Sequence, residues 1–330
     1  MNTEFTSRFK KIVIIGSGSI GTAMAQALAS NSKIDTTILS IESDVIDEIN
    51  HLHRNSKYFP GFLLASEVKA VSDKSVLNEA DLVFLALPSV AVIPYIRENA
   101  SLLSPQVVLV NMAKGFDREG QTISEGLLKE FPFGVVAMKG PSFAKEMING
   151  SPTAFTIGCK DNKIWPLFEE VFANTQVYLD FSKDIKGVEL LSILKNIYAI
   201  AVGMMDAQFN TANMRFLFLT RAFNEMRSIH ILFGGKKSTM FKYCGFGDFG
   251  LTALNDLSRN RTLGLLIGKG YFTEQISEKV LLEGRLAVNI FCGQIIHSRH
   301  LDTFPIMSGL YHIFSGQTDV SEFVEQMLQK

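Results

Sequence analysis

The feature that most constrains this fold is a glycine-rich turn between a β-branched run and an alanine-rich stretch near the N-terminus. Residues Lys11–Ile15 form a continuous apolar run, typical of a strand buried on both faces. The run continues directly into Gly16-Ser17-Gly18-Ser19-Ile20-Gly21 and then into a predicted helix over 22–30. A G-x-G-x-x-G pattern is weak evidence alone, but between the strand and the helix of a βαβ unit it predicts a dinucleotide-binding site.

Each glycine of this turn is expected to have its own function. Gly16 permits the tight turn, Gly18 lets the backbone approach a pyrophosphate, and Gly21 lets the helix pack closely against the strand. The N-terminus of the helix then offers unpaired N–H groups to the phosphates. These features predict cofactor binding at the first turn of the helix.

An acidic residue follows the second predicted strand, 36–39. Glu42 lies close to the position from which an acid hydrogen-bonds the adenosine ribose, and the segment 39–44 contains no arginine or lysine to hold a 2′-phosphate. This arrangement favours NAD over NADP. An exposed loop acid without that function remains the alternative.

Further predicted strands alternate with helical spacers through the first half of the chain. They cover 82–87, 107–110, 135–138, 153–157 and 176–179. Such alternation predicts an α/β fold in which residues 1–187 form a Rossmann-type doubly wound sheet, with ligands at the carboxyl ends of the strands. The glycine turn, Pro88, Lys114 and the segment 140–144 all follow strand ends, so we expect them at one edge.

The second half of the chain opens with a helix over 187–203 that is apolar on nearly all sides and contains Lys195. A buried lysine needs a partner or a purpose, although a lysine that extends its ammonium to solvent remains the alternative. No strand pattern follows Lys195. Residues 188–330 are therefore predicted to form an all-helical domain, with helices over 216–233, 274–282, 286–300, 306–314 and 320–328.

Two loops of this second domain carry candidate functional residues. The segment 245–250 places Asp248 in a glycine-bracketed turn that we expect to be flexible. Ser258, Arg259 and Asn260 stand in succession at a possible helix start, which suits a phosphate. An ordinary solvated basic turn is the alternative for this second loop.

Composition limits the classes of protein that remain. Of the 330 residues 20% are charged, and the formal net charge is −1, which gives no general attraction for nucleic acid or anionic membranes. No stretch of eighteen residues lacks charge, so we expect no membrane insertion. The three separated cysteines and the absence of a signal-peptide pattern predict a cytoplasmic protein without disulfides. No spacing of ligands predicts a metal site.

Six motifs together resemble one family nearly from end to end. They are, in chain order, GSGSIG, AKGF at 113–116, GPSFAKE at 140–146, GVELLSILKNIYAIAVG at 187–203, FGDFGLT and SRNRTLG. This ordered set is similar to the soluble NAD(P)-dependent glycerol-3-phosphate dehydrogenases. The resemblance implies reversible reduction of dihydroxyacetone phosphate to sn-glycerol 3-phosphate. It also implies that the product supplies phospholipid synthesis and that the enzyme, as is common in the family, is a homodimer.

The resemblance also implies functions for individual residues. Lys195 matches the proton donor and acceptor, and Lys114 matches a residue that contacts both substrate and cofactor. The positions implied to hold substrate are Lys114, Gly140, Ser142, Lys195, Asp248, Ser258, Arg259 and Asn260. Those implied to contact the cofactor, together with the turn glycines Gly16, Gly18 and Gly21, are Ser19, Ile20, Lys114, Ala144, Arg259 and Glu283.

Three other functions remain open at this point. A related two-domain reductase could act on another small oxo-acid such as ketopantoate, but it would have no reason for a Ser-Arg-Asn phosphate site. An inactive NAD-binding sensor would have lost its proton donor, whereas Lys195, Lys114 and Asp248 are all present. A structural partner protein would not need so many glycine loops.

Overall fold

The structure, a computed structural model, describes residues 9–271, 278–297 and 301–329, without the side chains of 278–283 and 296–297. The chain divides into two compact units, Met1–Glu189 and Leu190–Lys330. The domain boundary predicted between 187 and 188 lies within the helix that contains this division.

The first unit is built on one sheet, which has eight strands within the described residues. Its order is β3-β2-β1-β4-β5-β6-β7-β8, in which the first six strands are parallel neighbours and β7 runs antiparallel to β6. The strands are β1 Lys11–Ile15, β2 Asp35–Leu39, β3 Lys69–Val71, β4 Leu82–Leu85, β5 Val108–Asn111, β6 Gly134–Lys139, β7 Thr153–Gly158 and β8 Val177–Ser182. The order of the six parallel strands is that of a Rossmann-type sheet, as the sequence predicted.

Helices of the first unit cover this sheet and bury its central strands. They are α1 Ser19–Leu28, α2 Ser43–Leu52, α3 Ser89–Asn99, α4 Ile123–Glu130, α5 Ala144–Ile148 and α6 Trp165–Val171. All four residues of β4 and of β5 are buried, because a central strand covered on both faces needs apolar side chains on both. The predicted alternation of strands and helices is confirmed.

The second unit is helical throughout its described residues. Its helices are α7 Ile185–Phe209, which begins in the first unit, α8 Ala212–Leu232, α9 Asp248–Leu254, α10 Arg259–Gly268, α11 Glu278–His297, α12 Pro305–Phe314 and α13 Val320–Leu328. Predicted helices over 274–282 and 286–300 correspond to the single helix α11, as far as the chain is described there. The sequence analysis missed α9 and the short, partly polar strand β3, and of α10 it predicted only the start.

Helix α7 is long and apolar enough, by length and composition, to cross a membrane. Its most apolar 18-residue window is 94% buried within the molecule, so it is a core helix. Glycines allow α10 to approach it closely. A Cβ atom on Gly264 would lie 2.0 Å from the carbonyl oxygen of Ile200, and one on Gly203 would lie 2.3 Å from that of Arg261. This contact holds the start of α10 against α7.

Candidate active site

The glycine turn has the geometry that a pyrophosphate-binding turn requires. Gly16 has φ of +110°, and a Cβ atom on Gly21 would lie 2.0 Å from the carbonyl oxygen of Gly16. A Cβ atom on Gly18 would meet no protein atom within 4 Å, so space is open beside it. Helix α1 begins at Ser19 without a side-chain cap, which leaves the first N–H groups to a ligand. The turn therefore fits a dinucleotide.

Glu42 lies beside this turn, but its surroundings differ from the prediction. Its carboxylate accepts a hydrogen bond from the hydroxyl of Tyr58 at 3.0 Å and forms an ion pair with Lys57. The expectation that no cation stands beside Glu42 is therefore wrong. Lys57 is 15 positions away in the chain, and the turn after α2 brings it back to Glu42.

The other predicted residues of the first unit follow the carboxyl ends of neighbouring parallel strands. Register pairs join Ile15 to Leu85 and Leu85 to Asn111, so the strand ends lie side by side. Lys114 is half-buried and follows β5 after two intervening residues. The segment after β6 contains Gly140, Ser142 and Ala144, and Ser142 donates a hydrogen bond to the Gly140 carbonyl at 3.0 Å. The predicted convergence on one edge is thus observed within this unit.

One residue that holds this edge was missed by the sequence analysis. Lys139 ends β6 and is 1% exposed, and its ammonium donates to the carbonyl of Asn111 at 2.9 Å and to that of Ala113 at 2.5 Å. These carbonyls immediately precede Lys114, so the buried ammonium fixes the backbone that carries it. Its only sequence signal is a lysine at the end of an otherwise apolar strand.

In the second unit, Lys195 is buried and paired. Its side chain is 3% exposed, and its ammonium donates to Asp248 Oδ1 at 2.5 Å and to the hydroxyl of Thr252 at 2.9 Å. This geometry excludes the alternative of a lysine extended into solvent. Thr252 was also missed, because nothing in a threonine one helical turn after Asp248 signals a partner for Lys195.

Asp248 does not lie in a flexible turn, and that expectation is wrong. It is the first residue of α9, it is 1% exposed, and it follows the irregular turn Tyr243–Gly247. Its second carboxylate oxygen, Oδ2, is buried and has no hydrogen-bond partner among the described residues. A buried acceptor without a partner is costly, so this oxygen is available to a hydroxyl group of a ligand.

The Ser-Arg-Asn segment begins helix α10, as predicted. The hydroxyl of Ser258 caps the helix by accepting from the Arg261 N–H at 3.3 Å, whereas Arg259 is exposed and Asn260 is half-buried. Arg261 is held by Asp206 at 2.8 Å and also pairs with Asp256. The two arginines therefore differ: Arg261 anchors the helix, and Arg259 is presented to solvent.

The remaining predictions concern Glu283 and metal ions. The side chain of Glu283 lies outside the described residues. Within the part of the chain that is described, no group of three or more His, Cys, Asp or Glu side chains could hold a metal ion.

A Rossmann-type unit with a pyrophosphate-binding turn and a helical unit with a buried lysine–aspartate pair are typical of two-domain NAD(P)-dependent dehydrogenases. Comparison with known proteins defines the family. Residues 11–165 match the model of the NAD-dependent glycerol-3-phosphate dehydrogenase N-terminus, and residues 184–325 match that of its C-terminus.

Individual relatives agree with these matches. The chain is 36% identical to a glycerol-3-phosphate dehydrogenase [NAD(P)+] of Methanothermobacter thermautotrophicus over 78% of this chain and 80% of the relative. It is 30% identical to that of Lawsonia intracellularis over 97% and 93%, respectively. The crystal structure of glycerol-3-phosphate dehydrogenase from Coxiella burnetii aligns with a TM-score of 0.86 and 26% identity, covering 98% of this chain and 99% of that one.

The chain belongs to the NAD-dependent glycerol-3-phosphate dehydrogenase family. The family that the six motifs indicated is confirmed, as are the fold class, the oxidoreductase class and the use of NAD or NADP. Membership of this family also decides against the ketopantoate reductase and the structural partner protein.

Proposed function

We propose that this chain interconverts dihydroxyacetone phosphate and sn-glycerol 3-phosphate, with Lys195 as the group that moves the proton. The observation that carries this assignment is the buried Lys195 ammonium, hydrogen-bonded to Asp248 and Thr252. Carbonyl reduction needs a hydride at carbon and a proton at oxygen. When bound, the reduced nicotinamide supplies the hydride, and the Lys195 ammonium supplies the proton.

Asp248 and Thr252 orient the ammonium. Asp248 places a counter-charge beside the buried ammonium, and Thr252 fixes the direction of the Lys195 side chain. With both partners in place, Lys195 can stabilise the alkoxide that develops on the substrate oxygen before donating its proton. In the reverse direction the neutral amine accepts the proton from the alcohol.

Substrate binding is assigned to one exposed residue, Arg259, and to several residues that are half-buried or buried. Arg259 is exposed at the start of α10, where its guanidinium and the helix N–H groups suit a phosphate. Asp248 Oδ2 is suited to accept a hydrogen bond from a substrate hydroxyl. Contacts from Lys114, Gly140, Ser142, Ser258 and Asn260 to the substrate, and from Ser19, Ile20, Lys114, Ala144, Arg259 and Glu283 to the cofactor, are part of the same proposal.

The cellular setting is proposed from the family resemblance and from composition. We propose a cytoplasmic homodimer that supplies glycerol 3-phosphate for phospholipid synthesis. The three cysteines are buried thiols that form no disulfide, as suits a reducing compartment.

The experiment that tests this function follows the loss of absorbance of the reduced nicotinamide. The purified chain is mixed with NADH or NADPH and either dihydroxyacetone phosphate, ketopantoate or no substrate. We expect turnover with dihydroxyacetone phosphate alone. Turnover with ketopantoate instead, or cofactor binding without any turnover, would overturn the proposal.

A further inference from the structure

We infer that Lys57 is a specificity-determining residue of the cofactor site, which offsets the charge of Glu42 so that the site admits NADP as well as NAD. This inference rests on the dinucleotide-binding part of the proposed function and not on the identity of the substrate.

A chain of contacts ties Glu42 to the glycine turn. The N–H of Gly16 donates to the carbonyl of Leu39, the last residue of β2, at 2.9 Å. The hydroxyls of Ser17 and Ser40 lie 2.7 Å apart, and Ser40 Oγ accepts from the Glu42 N–H at 3.1 Å. Glu42 is therefore held next to the turn that binds the pyrophosphate, at the distance along the chain where an acid meets the adenosine ribose.

The loop that carries Lys57 is anchored on the same turn. Asn55 is fully buried, and its amide donates to the carbonyl of Ser17 at 2.9 Å and to Thr22 Oγ1 at 2.8 Å. Two residues later, Lys57 reaches the Glu42 carboxylate. Tyr58 holds the other carboxylate oxygen. The pairing of Lys57 with Glu42 is thus set by an anchored loop.

A 2′-phosphate placed at Glu42 would meet the carboxylates of Glu42 and of the nearby Asp44, and like charges at close range exclude a ligand. A lysine with its ordinary pKa is charged at neutral pH, and the hydrogen bond to Glu42 raises the pKa of Lys57 further. Its side chain is half exposed, and an exposed pair separates at small cost.

The two cofactors therefore use the pair differently. With NAD, Glu42 accepts hydrogen bonds from the ribose hydroxyls while Tyr58 keeps its carboxylate in place. With NADP, the Lys57 ammonium turns from Glu42 to the 2′-phosphate. Lys57 therefore sets the affinity for NADP, and Glu42 sets the preference for NAD over NADP.

The test is isothermal titration calorimetry, which measures the dissociation constants of NADH and NADPH for the full-length chain at one ionic strength, without substrate. Lys57→Gln should weaken NADPH binding on the order of tenfold, as expected for the loss of one charge-assisted hydrogen bond. It should change NADH binding by less than about threefold. Lys57→Arg should retain NADPH binding, and Glu42→Gln should shift the ratio of the two dissociation constants toward NADPH.

The matched control is Lys11→Gln, which breaks the exposed pair of Lys11 with Glu79 in the same unit and removes the same charge. It should leave the ratio of dissociation constants unchanged. An unchanged ratio in Lys57→Gln, or equal weakening of both cofactors, would overturn the inference. Retained NADH binding reports folding of each variant, and because no titration contains dihydroxyacetone phosphate, the absence of reductase activity would not affect the result.

Discussion

The ammonium of Lys195 lies 2.5 Å from Asp248 Oδ1, and the two side chains are only 3% and 1% exposed. An ammonium buried alone would carry a desolvation cost of several kcal/mol, so the carboxylate is what allows Lys195 to remain charged inside the helical unit. The remaining carboxylate oxygen has no partner among the described residues. In the proposed function, Lys195 donates the proton to the substrate oxygen and Asp248 Oδ2 accepts a hydrogen bond from the substrate hydroxyl.

Replacement of Asp248 by asparagine should destabilise the fold, because it removes the carboxylate that pairs with the buried Lys195 ammonium. We expect a loss of about 3–5 kcal/mol in the free energy of unfolding, measured by urea denaturation. Asp256→Asn is the matched control, since Asp256 is 91% exposed in its pair with Arg261 and should cost less than about 1 kcal/mol. Equal losses in the two variants would show that the buried pair has no special importance.

Two glycines of the turn should respond differently to alanine. Gly21→Ala places a Cβ atom 2.0 Å from a backbone oxygen, so it should cost about 1–3 kcal/mol of stability. Gly18→Ala meets no protein atom and should change stability by less than about 0.5 kcal/mol while raising the dissociation constant of NADH. Thermal unfolding and cofactor titration separate the two effects. Unimpaired NADH binding by the folded Gly18→Ala variant would place the pyrophosphate elsewhere.

Substitution of the two arginines at the start of α10 should have different effects, one on catalysis and the other on stability. Arg259→Ala should lower kcat/KM for dihydroxyacetone phosphate by the equivalent of about 2–5 kcal/mol, with only partial rescue by lysine, which lacks the bidentate fork. Arg261→Ala should instead lower stability by about 1–3 kcal/mol, because Asp206 loses a partner in the interior. Steady-state kinetics and denaturation of both variants measure the effects on kcat/KM and on stability. An Arg259→Ala enzyme with unchanged kcat/KM would assign the phosphate to other residues.

The sequence predicted those parts of the fold and site that depend on local order along the chain. A buried strand, a glycine turn and a helix follow one another within 11–28, so the pyrophosphate site was readable from residue types and spacing alone. Parallel strands place their carboxyl ends together, which allowed the edge bearing Lys114 and Gly140 to be predicted without coordinates.

The parts that could not be predicted depend on contacts between distant residues. Asp248 is 53 positions from Lys195, and its glycine-rich surroundings indicated a mobile turn rather than a buried helix start. Lys57 meets Glu42 only because the chain turns back after α2. The carbonyl partners of Lys139 lie 26 and 28 positions away, at the end of a neighbouring strand. The residue types in the sequence do not specify the backbone geometry there.

The central claim is that Lys195 supplies and accepts the proton, and Lys195→Met tests it most directly. Methionine keeps roughly the volume of the lysine stem and removes the charge. Because the Asp248 carboxylate loses its ammonium partner, the variant should lose about 3–5 kcal/mol of stability. It is therefore assayed as folded protein that binds NADH through the unchanged glycine turn. Lys237→Met, which alters an exposed lysine of the same unit, is the matched control and should turn over normally.

The decisive measurement is kcat for dihydroxyacetone phosphate reduction by the folded, NADH-binding Lys195→Met protein. Since the alkoxide charge exists only near the transition state, the loss should fall mainly on kcat. We expect kcat to fall by about 10²–10⁴, the range for a positioned proton donor. A kcat within about tenfold of the parent enzyme would contradict the assignment of Lys195 as general acid and base.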